Sequence, residues 1–359
     1  MKEASWGKFP AKFIVLSRPE SHIRDAFTEY PVEAVHTMHL EDIEENVVQG
    51  DIKRYLTNAL SAVGRRRNLG EDWPRADDID TLVEKSRGLF IYASTAVLYI
   101  SQRNADPTTR IQQVIRSKDL PRLVSGNIDS MYALVLKSAF DSMDPDAEIP
   151  VAQRCLRAIA CIRDPLSVQA LADLLTRDVN PRSARFALSA MHSVVRVPDS
   201  DTAGAIASYH ASFIDYITDP KRSGTEPWHV DTAAGHIDLY RSSLRVMNEE
   251  LKFNISATQS SYLSYDERPP PPISPQLAYA CSYWVDHLLD ASREESRSEP
   301  PVVEKFLRDK LLYWLEGLTA IGRFRTAADL LTRLATWSRE LVRIAFCATN
   351  QLLTICIGF

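Results

Sequence analysis

"SARFALSAMHSVVRVPDSDTAGAIASYHASFIDYITDP" spans residues 183–220. Its rhythm changes along its length. The first part has helical spacing, "SVVRV" (193–197) is strand-like, and a polar turn follows. "GAIASYH" (204–210) returns as a second strand, and a short helix closes the stretch at Asp219-Pro220.

Outward from it, "VAQRCLRAIACIRDPLSVQALADLL" (151–175) reads as a helix, a break at Asp164-Pro165, and a helix opened by Ser167. Helix, helix, helix, hairpin is the order of a winged-helix-like module. Reading DNA would require a basic recognition helix. Residues 167–176, "SVQALADLLT", are uncharged or acidic, so the hairpin is expected to be structural.

The rest of the chain has helical spacing almost throughout. "DIEENVVQGDIKRYLTNALSAVGRRR" (42–67) places Ile52, Tyr55, Leu56, Leu60 and Val63 at helical intervals, and Arg65, Arg66 and Arg67 complement its C-terminal dipole. "ADDIDTLVEKSRGLFIYASTAVLYI" (76–100) follows, with Asp77 or Asp78 as cap and Gly88 as a break. Its second half is apolar all round and should be central. "NIDSMYALVLKSAF" (127–140) turns Ile128, Met131, Leu134, Val135 and Ala139 inward, and "DPDAEIP" (144–150) reads as a boundary. Downstream, long amphipathic segments are separated by short breaks and by the Pro-rich "SYDERPPPPISP" (264–275). They suggest a helical array in which each pair buries its face on the next.

The N-terminal region differs. In "KFIVLSRPES" (12–21), Phe13 to Leu16 form an apolar run expected of a strand covered on both faces, stopped by Pro19. A short helix and a second strand-like run, "AVHTMHL" (34–40), follow.

Composition narrows the function classes. Hydrophobic residues make up 45% and charged ones 25%, and the net charge of −5 gives no global pull toward nucleic acid or membrane. The five cysteines form no CxxC pair, which fits free thiols in a reducing compartment. There is no apolar signal-peptide core at the start, and the uncharged run Gly88–Gln102 is shorter than the roughly 20 residues a span requires. The chain therefore reads as cytoplasmic. GxxxxGK[ST], HExxH, GxSxG and GxGxxG are all absent. His36 and His39 lie three apart without further ligands and read as surface residues. No catalytic residue and no metal ligand is nominated.

Five stretches in order resemble one family. "KFIVLSRPE" looks like the strand ending in Thr/Ser-Arg-Pro of NACHT-type P-loop NTPases, and "LVEKSRGLFIYASTAVLYI" resembles the helical segment that follows in fungal members. "SYHASFIDYITDP" is similar to their winged-helix element H-x-S-F-x-D-[FY]-[IL]. "LAYACSYWVDHL" and "LLYWLEGLTAIG" are similar to helical segments that follow NACHT domains in mushroom-forming fungi.

The resemblance implies a mainly α protein. Its parts would be a truncated remnant of a P-loop α/β core with one or two strands (1–43), a helical domain (44–143), a winged-helix-like domain (144–222) and a C-terminal helical array (223–359). The family comprises STAND-class signal-transducing NTPases, which hold ADP when closed and ATP when assembled. By position, Arg18 would be the sensor arginine facing the γ-phosphate, a role suited to a guanidinium fork. His210 would approach the β-phosphate of ADP. Gly88, Leu89 and Phe90 would lie near the base, although several relatives have a proline there and this chain has none.

The family's P-loop and Walker-B acids precede the sensor strand, where this sequence starts. The expectation is thus a fragment or degenerate copy, not an enzyme, holding no cofactor of its own where the intact family holds ATP or ADP with Mg²⁺. Its roles would be conformational switching, protein contact through the helical region, and self-assembly. The alternative is a free-standing helical scaffold.

Overall fold

A computed structural model describes residues 13–17, 21–28, 30, 35–38, 43–103, 105–117, 126–175, 179–224, 226–257 and 273–339. The fold is mainly α, and its one sheet among the described residues is two-stranded. The chain divides into two units, residues 1–51 and 52–359.

In the first unit, helix α1 (Ser21–Thr28) is followed by the start of α2 (Glu45–Arg67). The strand expected over Phe13–Leu16 is not formed. Residues 13–17 are coil, and Ile14 and Leu16 are 89% and 84% exposed. A strand persists only where its N–H and C=O groups find a neighbouring ladder, and no described strand pairs with this segment. Residues 35–38, within the second expected strand, are also coil. Arg18, Pro19 and His39 lie outside the described residues.

In the second unit, α2 buries Ile52, Leu56, Leu60 and Val63, the positions its periodicity marks, while Tyr55 stays exposed. Next come α3 (Ala76–Ser86), α4 (Phe90–Ile100), α5 (Pro107–Arg116) and α6 (Gly126–Phe140). Neither Asp77 nor Asp78 caps α3. The cap position is Arg75, and the two acids lie in the first turn, where negative charge favours the positive end of the helix. Arg87 (φ 47°) and Gly88 (φ 78°) turn the chain through left-handed backbone into α4. Seven of the eleven α4 residues are buried, as expected of a helix apolar all round. The α5 helix opens on an Asp106 cap followed by Pro107 at N1. In α6, Ile128, Met131, Val135 and Ala139 are buried, but Tyr132 and Leu136 are buried as well, and Leu134 is only half-buried.

Helices α7 (Ile149–Cys161), α8 (Val168–Leu174) and α9 (Pro181–Ala190) follow. Ser167 caps α8 by accepting the Ala170 N–H. Strands β1 (Val195–Arg196) and β2 (Ala207–Ser208) pair antiparallel, with Val195 opposite Ser208 and Arg196 opposite Ala207. The chain then enters α10 (Ala211–Thr218) and α11 (Pro220–Ser223).

The rest is helical: α12 (Thr232–Glu250), α13 (Pro275–Asp290), α14 (Pro300–Ala320) and α15 (327–339). The α12 and α13 helices pack along each other, and α7 and α8 lie against them. Trp284 sits at the centre, 5.2 Å from Phe306 and 5.5 Å from Trp314 in edge-to-face arrangements. Close approach requires small residues. A Cβ at Gly235 would lie 2.5 Å from Cys161 Sγ, so α7 and α12 meet there because the side chain is absent. No helix among the described residues is long and apolar enough to cross a membrane.

Candidate functional site

His210 stands where β2 ends and α10 begins. Its extended backbone (φ −151°, ψ 144°) makes it the N-cap of α10. Nδ1 accepts the backbone N–H of Ser212 at 3.2 Å and lies 2.7 Å from Ser212 Oγ. Because Nδ1 accepts, the neutral ring carries its proton on Nε2. Ser212 Oγ is in turn 2.8 Å from the Tyr132 hydroxyl. With Nδ1 accepting from the serine hydroxyl, the direction follows: Tyr132 O–H donates to Ser212, and Ser212 O–H donates to His210.

Tyr132 projects from α6 into a buried aromatic cluster. Its ring meets Phe213 at 5.4 Å and Tyr216 at 5.6 Å. Burial pushes its phenol up to about 12, with the Ser212 hydrogen bond acting the other way. Trp228 Nε1–H donates to the Tyr216 oxygen at 3.3 Å. One helical turn before Tyr132, Asp129 receives both arms of the Arg222 guanidinium. These bonds hold the guanidinium charged and raise its pKa further. His210, Ser212, Tyr132, Asp129, Tyr216 and Arg222 thus form one network joining α6 to α10 and α11.

Gly88 and Phe90 occupy a different place, the turn between α3 and α4. Leu89 and Phe90 are 41% and 47% exposed, and Phe90 is 6.4 Å from the Tyr55 ring on α2. The structure brings His210 to Tyr132 and Phe90 to Tyr55, on separate elements. An open dent of about 430 Å³ between α4, α5 and α6 is lined by Tyr99, Gln113, Arg116 and Lys137, and by none of the nominated residues.

The sequence reading did not nominate Asp129, Tyr132, Ser212 or Arg222. Asp129 and Tyr132 fall three apart on α6, so a polar pair inside an apolar face was a usable signal. Among the described residues no group of three or more His, Cys, Asp or Glu side chains could hold a metal. Cys155, Cys161 and Cys281 are buried free thiols, each pushed up to about 12 chiefly by desolvation.

The chain is thus a mainly helical protein in which a short hairpin and a capped helix are bound to the preceding helices by a polar-aromatic network. No protein-family model matches it, and no solved structure matches it. It is similar to the vegetative incompatibility protein HET-E-1 of Podospora anserina, with 24% identity over 287 residues covering 74% of this chain and 20% of that protein. The chain spans about a fifth of the length of this curated relative. The similarity supports a distant relation to fungal NACHT-type signalling proteins.

Proposed function

We propose that this chain is the regulatory and helical portion of a NACHT-type signal-transducing protein, working in the cytoplasm through conformational change and protein contact, not hydrolysis. The observation that carries this reading is the similarity to HET-E-1, because it extends over 287 residues and does not rest on one motif. In this reading residues 144–222 act as a winged-helix-like module of a STAND-class switch. The placement of His210 is compatible with it: the ring caps α10 through Nδ1 at an exposed position between the hairpin and the helix. By resemblance to the family, Arg18 is assigned a second phosphate contact, and Gly88 and Phe90 a base contact. The α12 to α15 helices supply the surface for protein partners and self-assembly.

The chain has no GxxxxGK[ST] loop to cradle phosphates, so its own residues only tune a site built elsewhere. Calorimetric titration of the purified chain with ADP and with Mg-ATP is expected to give neither submicromolar binding nor phosphate release. Submicromolar binding overturns the reading that the nucleotide site is incomplete, and phosphate release overturns the non-enzymatic reading. In a protein where this chain is joined to a P-loop segment, His210→Ala and Arg18→Ala are each expected to weaken nucleotide retention about tenfold, the equivalent of one charge-assisted hydrogen bond of about 1.4 kcal/mol. Unchanged retention in both removes these assignments.

A further inference from the structure

Far along the chain from His210, at the contact of α12 with α13, three side chains form a hydrogen-bonded line. The backbone N–H of Arg163 donates to the Tyr279 oxygen at 3.2 Å. That hydroxyl is 2.7 Å from His287 Nε2, and His287 Nδ1 is 2.9 Å from His236 Nδ1. His287 is fully buried.

The protons in this line have one consistent arrangement. Two ring nitrogens facing each other at 2.9 Å share a single proton. The Tyr279 oxygen already accepts a backbone N–H, so its own proton needs an acceptor, and His287 Nε2 is placed to be it. His287 then carries its proton on Nδ1 and donates to His236 Nδ1. His236 carries its proton on Nε2. Every donor between Arg163 and His236 is satisfied, as buried polar groups require.

We propose that the His236–His287–Tyr279 line is an acid-sensitive latch holding α12 and the Arg163 turn to α13. In the neutral line both unprotonated ring nitrogens, His287 Nε2 and His236 Nδ1, are already acceptors. A proton placed on His287 Nε2 reverses that bond and strips the Tyr279 hydroxyl proton of its acceptor. A proton placed on His236 Nδ1 sets two N–H groups against each other. A proton on His236 breaks the α12–α13 bond, and a proton on His287 leaves the buried Tyr279 O–H without its acceptor.

The surrounding charges leave this proton sensitivity in place. The turn after α7 contributes Arg163, whose charge opposes protonation of both rings. From α13, Asp290 favours the charged form of His236 but is itself ion-paired with Arg163. The neighbouring Tyr283 hydroxyl is bonded to Asp164. Cys161, at the end of α7, is a buried thiol. The one charged residue of α8, Asp173, accepts from Gln169 of its own helix. Burial, first, and the adjacent His236 and Arg163 hold His287 down to about 3. Burial lowers His236 as well. Against an unfolded value of about 6.5, the stability due to neutral histidine is complete above about pH 6.5. It is lost as pH falls from there toward the folded value.

The test uses the whole chain. Nitrogen-15 NMR of histidine-labelled protein at pH 7.5 is expected to show His287 protonated at Nδ1 and bare at Nε2, and His236 protonated at Nε2. The reverse tautomer of His287, or a His287 ring that titrates near 6.5 in the folded state, overturns the latch. Urea unfolding at pH 7.5 and pH 5 provides the second readout. Acidification should raise the wild-type unfolding constant by roughly 30-fold through His287 alone, and His287→Gln should lose that increment. Equal pH sensitivity in the two proteins overturns the proposal. If His287→Gln does not fold, the wild-type tautomer and titration measured by NMR decide the proposal alone.

Discussion

Arg222 grips the carboxylate of Asp129 with two hydrogen bonds, Nε to Oδ2 at 3.0 Å and Nη2 to Oδ1 at 2.5 Å. The pair joins α11 to α6 across 93 residues of sequence, with side chains 15% and 2% exposed. Arg222→Ala removes both charge-assisted bonds from a carboxylate shielded from water. The expected loss is about 3–5 kcal/mol, read as a lower urea midpoint. Arg222→Lys restores the charge without the fork and should recover less than half.

His210 is a cap before it is anything else. His210→Ala should cost about 1 kcal/mol in thermal unfolding, within the range for losing an N-cap acceptor, and His210→Asn should retain most of the stability. If Asn and Ala variants melt alike, the Nδ1 cap contributes nothing.

Arg245 on α12 donates one Nη2 group to the carbonyls of Asp173, Leu174 and Leu175 at 2.8, 3.1 and 2.5 Å, closing the C-terminus of α8. Arg245→Ala leaves those part-buried acceptors without this donor, for an expected loss of about 1–3 kcal/mol. Amide exchange in α8 should accelerate more than in α4, and equal acceleration in both helices would refute a local capping role.

Gly235→Ala should destabilise by about 1–3 kcal/mol, because its Cβ would stand 2.5 Å from Cys161 Sγ and 3.0 Å from Arg157 Cγ. Cys161→Ala in the same chain removes the sulfur and should recover much of that loss. Additive effects in the double variant would show that the clash lies elsewhere.

The buried thiols give a prediction in pH. Burial pushes Cys155, Cys161 and Cys281 up to about 12, so their reactive thiolate forms are scarce at pH 8. Maleimide labelling of the folded chain followed by peptide mass analysis should leave all three unmodified until denaturant is added. Rapid native labelling of any one contradicts its placement.

The helices were legible wherever their signals are local. The spacing of Ile52, Leu56, Leu60 and Val63 marks the buried face of α2, and Ser167 caps α8 through a bond three residues away. The β1–β2 hairpin was visible as two strand-like runs around a polar turn. His210 was singled out from its motif, but its partner Tyr132 was not, because they lie on α10 and α6, far apart in sequence. Asp77 and Asp78 show the limit of local rules. An acid near a helix start can cap or can sit in the first turn, and backbone geometry at Arg75 chose the second.

By itself, then, the sequence determined most of the helical segments, much of the faces they bury and where the short hairpin lies, since these follow from periods of 3.6 and 2 and from bonds within four residues. It could not determine that Phe13 to Leu16 stay exposed coil, because a strand exists only with a partner. Only the tertiary structure decided that Asp129 meets Arg222, that Tyr132 reaches Ser212 and that His287 lies between His236 and Tyr279. Those contacts depend on how whole helices settle against one another, and a polar side chain's acceptor is set by whichever neighbour that packing brings within about 3 Å.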